Sequence, residues 1–321
     1  MSKYLITGAA GFLGARISEI LLSSGHKVTA VDNLNDNYDI SLKQHRLERF
    51  ANNTNFNFFK VDIRDYTRMH EIYNSSFTAV IHLAALSAIR HSVKEPRECY
   101  EINLDGTLNL LELSREFGLK KFVLASSSSV YSENVDCPLT EISPTDKPLS
   151  PYASSKKAAE TLVYTYHHLH GLDASVIRYF TVYGPAGRPD MATFKFVQSI
   201  TEEIPITLFG DGTQKRDFTH IDDAANGTIC ALKPLGYEII NIGTSHTITL
   251  ANIISIMERY IGKDAKINYE PKHPADVSIT WANIDKAQKL LNWSPHTMIE
   301  DGIKSAVDWY KSNRNWARNI R

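Results

Sequence analysis

Lys3-Tyr-Leu-Ile-Thr-Gly-Ala-Ala-Gly-Phe-Leu-Gly14 joins a short apolar run to three glycines, and an amphipathic segment, 15–23, follows directly. This order predicts a strand, a tight turn and a helix. Glycines let the backbone turn sharply and approach a pyrophosphate, which then lies against the positive end of the helix. The spacing differs by one residue from the commonest dinucleotide fingerprint, but the strand–turn–helix context predicts a dinucleotide site built on Gly8, Gly11 and Gly14.

A carboxylate follows the second apolar run. The run 27–31 is followed by Asp32, eighteen residues after Gly14. A carboxylate at this place accepts hydrogen bonds from an adenosine ribose and repels a 2′-phosphate. Because neither Arg nor Lys follows before Lys43, the pattern predicts NAD rather than NADP.

Tyr152 and Lys156 stand four residues apart, and a helix beginning after Pro151 would place them on one face. A nearby ammonium favours a phenolate, and an opposite charge lowers a Tyr pKa from about 10 by roughly 1–3 units. We therefore predict that Tyr152 has a lowered pKa and acts as a base. The spacing alone is equally typical of a solvated helix face, and it is the upstream dinucleotide pattern that favours chemistry.

The first half of the chain alternates apolar runs with helical patterns. The runs 55–61, 79–83, 121–125 and 174–180 predict further strands, and 101–117 and 155–170 predict helices between them. This rhythm predicts an α/β fold with a doubly wound parallel sheet of the Rossmann type. Asp62-Ile63 and Leu83-Ala-Ala85 would lie at the carboxyl edge of that sheet, where cofactors bind.

Beyond Thr181 the segments become shorter and are punctuated by Pro and Gly, which predicts a smaller, mixed α/β substrate-binding region. The predicted boundaries are 1–180 for the NAD-binding domain, rejoined by about 214–236, and 181–213 with 237–321 for the substrate-binding domain.

Composition narrows the class of protein. With 43% hydrophobic and 22% charged residues in 321, the chain has enough apolar residues for a large core, which excludes a disordered protein. A net charge of −1 without a basic face argues against a nucleic-acid partner. Three scattered cysteines without a CxxC motif predict the cytoplasm. We expect no membrane span and no signal peptide. We also expect no metal, because His167, His168 and His170 are predicted to lie on a solvent-exposed helix surface.

The motifs together resemble the extended short-chain dehydrogenase/reductase family, and within it the nucleotide-sugar epimerases. They are Thr7-Gly-x-x-Gly-x-x-Gly14, Asp32, His82-Leu-Ala-Ala85, Asn103, Ser126-Ser-Ser-Ser-Val-Tyr131 and Tyr152-x-x-x-Lys156. More narrowly, the chain is similar to UDP-glucuronate 4-epimerases. That similarity is carried by Asp36-Asn-Tyr-Asp39, Ser41-Leu-Lys43 and Arg178-Tyr-Phe-Thr-Val-Tyr-Gly-Pro-Ala-Gly-Arg-Pro-Asp-Met-Ala192.

The resemblance implies NAD-dependent 4-epimerisation of UDP-glucuronate to UDP-galacturonate through a transient 4-keto sugar, with hydride returned to the opposite face. Tyr152 would be the base, Lys156 would steady its phenolate and Ser127 would share the proton. The implied cofactor contacts are Gly8, Gly11, Phe12, Leu13, Gly14, Asp32, Asn33, Asp62, Ile63, Leu83, Ala84, Ala85, Asn103, Tyr152 and Lys156.

The resemblance also implies the UDP-sugar contacts. They are Ser87, Arg90, Ser127, Ser128, Ser129, Thr181, Arg188, Phe209, Arg216 and Asp276. Within this set, Arg188 would clamp the sugar carboxylate, Arg216 would contact the diphosphate and Asp276 the uridine ribose. A homodimer is implied as well.

Three other functions stay open at this point. One is a 4-epimerase for UDP-glucose or UDP-N-acetylglucosamine, in which Arg188 would be a surface charge in a turn. Another is a UDP-glucuronate decarboxylase, although Ser129 stands where similar decarboxylases carry an acidic residue. The third, an NAD-sensing regulatory protein, is disfavoured because such proteins typically lack the Tyr–Lys pair.

Overall fold

Strands and helices alternate through most of the chain in a computed structural model, which describes residues 1–133, 135–271 and 277–320. The strands are β1 (Lys3–Thr7), β2 (Lys27–Asp32), β3 (Phe56–Lys60), β4 (Ala79–His82), β5 (Lys121–Ser127), β6 (Asp173–Tyr179), β7 (Thr181–Tyr183), β8 (Ile206–Phe209), β9 (Lys215–Arg216), β10 (Phe218–His220), β11 (Tyr237–Ile242), β12 (Ile248–Thr249), β13 (Ile267–Glu270) and β14 (Ile279–Thr280). The helices are α1 (Phe12–Ser23), α2 (Ile40–Glu48), α3 (Tyr66–Ile72), α4 (Ile89–Lys94), α5 (Pro96–Tyr100), α6 (Gly106–Glu116), α7 (Pro151–His170), α8 (Ala192–Thr201), α9 (Ile221–Cys230), α10 (Leu250–Ile261), α11 (Asp285–Leu291) and α12 (Ile299–Ala317).

Seven of these strands form one parallel sheet in the order β11-β6-β5-β4-β1-β2-β3. Apolar side chains on both of its faces are buried, which explains why the strands appear in the sequence as continuous apolar runs. The predicted Rossmann-like α/β fold is confirmed. The strand order reverses direction between β1 and β4, and the crevice at their carboxyl ends is where ligands bind in such sheets.

The predicted helix 101–117 is divided into two parts. Residues Glu101–Asp105 form one π-helical turn, and α6 continues from Gly106. Helix α7 begins at Pro151, where proline is well tolerated because its position needs no N–H donor. Ser150 caps α7 by accepting a hydrogen bond from the Ala153 backbone N–H at 3.2 Å.

A smaller region contains a three-stranded sheet and two two-stranded pairs, with α8, α10 and α12 packed around a shared apolar cluster. One predicted boundary is wrong. The sequence pattern assigns the whole segment 237–321 to this region, but β11 pairs with β6 along its whole length and forms the edge of the large sheet. The apolar residues of β11 fit a strand whose second half is buried, and helix α11 packs against that part.

Within the described ranges 1–133, 135–271 and 277–320, no helix has both the length and the apolar character needed to cross a membrane.

Candidate active site

The glycine turn closes tightly at the carboxyl end of β1. Gly8 has a φ of +69°, and a Cβ atom there would lie 2.6 Å from the Ala84 backbone nitrogen. A Cβ on Gly14 would overlap the Gly8 carbonyl oxygen. Gly11 is the N-cap of α1 and offers no side-chain cap, so the first N–H groups of this helix are open to an anion. The turn therefore fits a dinucleotide pyrophosphate. Helix α1 begins three residues earlier than the predicted segment 15–23, so Phe12 and Leu13 lie in its first turn.

Carboxylates follow the next two strands. Asp32 accepts hydrogen bonds from Ala10 N at 3.1 Å and from Leu34 N at 2.9 Å, which fixes its carboxylate at the end of β2. Asn33 donates to Asp62 at 2.9 Å. Burial opposes ionisation of Asp62, but hydrogen bonds from Arg64 and Asn33 outweigh it and hold its pKa at about 2. A hydroxyl-rich adenosine ribose fits these acceptors.

The loop after β4 is held by Asn103. Its side chain accepts from Leu86 N at 2.8 Å and donates to Leu86 O at 3.0 Å and to Ser155 Oγ at 2.9 Å. The sequence predicted a cofactor contact for Asn103, whereas the amide serves here to join the 83–86 loop to α7. Leu83, Ala84 and Ala85 lie next to the glycine turn, as the contact between Gly8 and Ala84 shows, and Ile63 packs against Gly106.

Tyr152 and Ser127 meet as predicted. The Tyr152 phenol hydrogen-bonds with Ser127 at the end of β5, and the positive charge of Arg188 also acts on it. The predicted direction of its pKa is nevertheless wrong. Burial raises the pKa of Tyr152, and the Ser127 hydrogen bond and the Arg188 charge do not outweigh that effect. The residue is thus a phenol that needs additional positive charge before it becomes a base.

Lys156 lies one turn further along α7, and its ammonium donates to the Ala125 carbonyl oxygen at 2.9 Å. This contact explains why the predicted pairing with Tyr152 does not lower the Tyr152 pKa. Burial lowers the pKa of Lys156 to about 8, with Cys99 and Glu160 acting in the opposite direction. Lys156 is therefore poised to lose its charge within an accessible pH range.

The alkaline limb of the pH–rate profile should report this group. The charged form of Lys156 stabilises a phenolate and the neutral amine does not. We therefore expect kcat to fall as the pH rises through about 8, the pKa of Lys156. The measurement is kcat from pH 6 to 9.5 in buffers of constant ionic strength. In a Lys156→Arg variant, which stays charged throughout, the fall should disappear even if activity is lower. A wild-type profile that is flat to pH 9.5 would contradict the assignment.

A buried ion pair lies behind Lys156, and the sequence analysis did not identify it. Arg178 on β6 donates to Glu160 twice, at 2.8 and 2.7 Å, and Ser126 donates to the same carboxylate at 2.6 Å. The network joins β5, β6 and α7 directly beneath Ser127 and Lys156. Its sequence signal is the position of Glu160, four residues after Lys156 and eight after Tyr152 on the same helix face.

Arg188 lies between the Tyr152 side of the crevice and the smaller region. It forms a bidentate pair with Asp190, through Nε at 3.0 Å and Nη2 at 2.5 Å, and Nη1 donates to Ser87 Oγ at 2.5 Å. These bonds use three of its five N–H groups, and the other two have no acceptor among the described residues. A sugar carboxylate would therefore bind Arg188 beside Asp190 or in its place. The sequence did not predict the pairing of Arg188 with Asp190.

The remaining predicted substrate residues fall into two groups. Ser128 and Ser129 form a short turn after β5, and Ser129 N donates to Ser127 Oγ at 3.1 Å. Thr181 opens β7.

The second group is found where α4 of the larger region meets β8 and β9 of the smaller region. Arg90 lies over the Phe209 ring at 4.0 Å. Arg216 donates to the Val277 carbonyl at 2.7 Å. Asp276, predicted at the uridine ribose, falls outside the described residues.

A methyl group at Gly8 should disrupt cofactor binding more than its backbone strain alone explains. We expect Gly8→Ala to raise the dissociation constant for NAD at least about tenfold, since the β4 loop must shift away from the new Cβ. Gly25→Ala is the control, because Gly25 has a similar φ of +77° and a Cβ there would meet no atom within 4 Å. It should lower stability by about 1–2 kcal/mol and leave the NAD constant unchanged. Equal effects on NAD binding would refute the contact argument.

Comparison with known proteins agrees with this geometry. The NAD dependent epimerase/dehydratase family matches residues 4–243. A UDP-glucuronate 4-epimerase of Thermodesulfobacterium geofontis is 54% identical over the full length of both chains.

Two solved structures superpose closely. The UDP-glucuronic acid 4-epimerase of Bacillus cereus, in complex with UDP-glucuronic acid and NAD, has a TM-score of 0.91 at 36% identity, covering 97% of this chain and 99% of the other. The UDP-glucose 4-epimerase of Thermotoga maritima, with UDP-glucose, has a TM-score of 0.90 at 30% identity, with the same coverage. The resemblance inferred from the motifs is confirmed: the chain belongs to the NAD-dependent epimerase/dehydratase family.

Proposed function

We propose that this chain is an isomerase that interconverts UDP-glucuronate and UDP-galacturonate by NAD-dependent epimerisation at C4. The fold alone does not select the sugar, because glucuronate and glucose enzymes superpose on it almost equally well. The observation that supports an acidic sugar as the substrate is the position of Arg188. Two N–H groups of its guanidinium have no acceptor among the described residues, and its charge acts on the Tyr152 phenol. The 54% identity to a UDP-glucuronate 4-epimerase supports the same choice.

Each group in the site has its own role in the proposed reaction. NAD, when bound, supplies a reversible two-electron acceptor for the sugar C4. The glycine turn and Asp32 hold the dinucleotide, while the Tyr152 phenolate oxygen removes the proton of the C4 hydroxyl and Ser127 shares it. The Arg188 charge already acts on the phenol, and the Lys156 ammonium, which is bound to the Ala125 carbonyl in the structure, supplies the further positive charge by turning towards the phenol when the substrate is bound. We also propose that residues 1–180 and 214–242 hold NAD and that the remainder binds the UDP-sugar.

The acidic substrate adds a requirement that a neutral sugar does not have. Oxidation at C4 of a glucuronate yields a β-keto acid, which loses CO₂ most easily when the C5–carboxylate bond aligns with the ketone π-system. Arg188 would hold the carboxylate out of that alignment, since guanidinium pairs with carboxylate in a fixed plane. Ser129 offers no acidic side chain for a decarboxylase-type reaction.

The direct test is incubation of the protein with UDP-glucuronate and NAD, followed by proton NMR of the configuration at C4. We expect UDP-galacturonate with little CO₂. Stoichiometric UDP-pentose would establish a decarboxylase instead. A preference for UDP-glucose or UDP-N-acetylglucosamine in parallel reactions would establish a neutral-sugar epimerase, and no turnover of any nucleotide sugar would leave the regulatory function.

Arg188 gives the matched substrate test. Arg188→Met should lower kcat/KM for UDP-glucuronate at least about tenfold, because a hydrogen bond to a charged group contributes roughly 1.5–3 kcal/mol. Any turnover of UDP-glucose should fall much less, because the two substrates share only the effect of the Arg188 charge on the Tyr152 phenol, and the share of CO₂ released from UDP-glucuronate should rise. Arg314→Met, which removes a half-exposed arginine paired with Glu202, is the control and should behave as wild type. An equal loss on both substrates would contradict a carboxylate clamp.

We further propose a cytoplasmic homodimer that assembles through α6 and α7. Both helices expose apolar side chains on the outer layer of the large sheet, with Leu108 39%, Tyr164 50% and Leu169 65% exposed. Light scattering coupled to size exclusion tests the proposal, and a monomer at micromolar concentration would contradict it.

A further inference from the structure

Arg46 is an unusual residue of this fold because its full positive charge is buried without a carboxylate partner in the described part of the chain. It lies on α2 and is 1% exposed. Its hydrogen-bond acceptors among the described residues are three backbone carbonyl oxygens and one phenol hydroxyl. Removing a guanidinium from water is costly, so the geometry around it must be well satisfied.

Every donor of Arg46 is in use. Nε donates to Ala186 O at 3.1 Å, and Nη2 donates to Ala186 O at 2.8 Å and Gly187 O at 3.2 Å. Nη1 donates to Ala10 O at 3.1 Å and to the Tyr38 hydroxyl at 2.6 Å. These five bonds equal the five N–H groups of a guanidinium. Arg46 thus has no donor left for a ligand, and it acts on the site only through the groups it holds.

The carbonyl groups that Arg46 holds belong to the glycine turn and to the turn that carries Arg188. Ala10 lies in the glycine turn, and its N–H is already bound to Asp32. Ala186 and Gly187 directly precede Arg188, and the left-handed φ of Ala186, +55°, is unfavourable for a residue with a side chain. One guanidinium therefore joins the cofactor turn, 36 residues before it in the chain, to the turn that carries Arg188, 140 residues after it.

We propose that Arg46 is a positioning residue that sets the distance between the dinucleotide turn and Arg188. The inference rests on the proposed function, in which Arg188 holds the sugar carboxylate while the glycine turn holds NAD. A planar fork with five donors can fix two turns relative to each other. A lysine ammonium, with three donors from one atom, cannot reach both sets of carbonyls.

The test compares full-length wild type with Arg46→Met and Arg46→Lys. We expect both variants to weaken NAD binding and to raise KM for UDP-glucuronate, with kcat/KM lower by about 10–100-fold, as small misplacements of reacting groups produce. The inhibition constant of UDP alone should stay within about twofold, because the nucleotide handle is expected near Phe209 and Arg216, away from this bridge. Arg49→Met, which removes an arginine that is 40% exposed at the same helix end and paired with Glu19, should behave as wild type.

Two outcomes would overturn the proposal. One is an Arg46→Met protein with unchanged NAD and UDP-glucuronate constants. The other is a variant in which UDP binding weakens by the same factor, since that pattern indicates a general loss of structure. If Arg46→Met does not fold, Tyr38→Phe decides: it removes one acceptor only, and it must show the same pattern at smaller amplitude. If wild type does not turn over UDP-glucuronate, the proposed function fails, and the NAD constants alone still test Arg46.

Discussion

Replacing Tyr152 by Phe should lower kcat for C4 epimerisation by about 10³-fold, within the range that a positioned acid–base group contributes. The substitution removes one oxygen atom from a buried side chain and leaves the ring in place, so packing in the core between α7 and the sheet should persist. The effect should fall on kcat far more than on KM, because the phenol oxygen acts on the proton that moves in the reaction.

The control for this prediction is Tyr73→Phe. Tyr73 is equally buried, and its hydroxyl bonds with Ser114 at 2.7 Å in the layer between α3 and α6. This variant should keep wild-type kcat and lose about 1 kcal/mol of unfolding free energy. NAD affinity should be unchanged in Tyr73→Phe. A Tyr152→Phe protein that inverts C4 at the wild-type rate would remove the basis of the proposed mechanism.

The sequence was informative wherever the physics is local. Glycines that must turn, apolar strands buried on both faces and a helix that begins at Pro151 all depend on residues within a few positions, and each was predicted. The edge strand β11 was assigned to the wrong region, because only its pairing with β6, some sixty residues earlier, identifies it.

The pKa values and ion pairs of the site could not be predicted for the same reason, because they depend on residues that are distant in the sequence. The spacing of Tyr152 and Lys156 correctly placed them on one helix, but the pKa of Tyr152 depends on burial by the whole fold. Likewise Arg188 was predicted as a clamp, but its contact with Ser87, 101 residues away in the chain, follows from how two distant loops meet. Arg46 carries no local signal at all, since its carbonyl partners come from another part of the chain.

Arg178→Met should lower the free energy of unfolding by about 3–5 kcal/mol, because it leaves the Glu160 carboxylate buried without its cation. Both side chains of this pair are only 1% exposed, so water cannot replace the lost partner. Ser126 still donates to the carboxylate and the Lys157 ammonium lies 3.5 Å from it, but neither replaces the two short hydrogen bonds of the buried guanidinium. Chemical denaturation followed by circular dichroism measures the change.

A double variant separates the loss of an interaction from the cost of a stranded charge. Glu160→Leu with Arg178→Met should regain most of the stability, since well-packed apolar residues often replace a buried ion pair without net cost. It should be less active than wild type, because the Ser126–Glu160 hydrogen bond that holds β5 against α7, next to Ser127 and Lys156, is then lost. Lys304→Met, which breaks the exposed pair with Asp308, should be indistinguishable from wild type. If the single and double variants are equally unstable, packing rather than charge dominates this part of the core; if the double variant is fully active, the pair supports the fold and not the site.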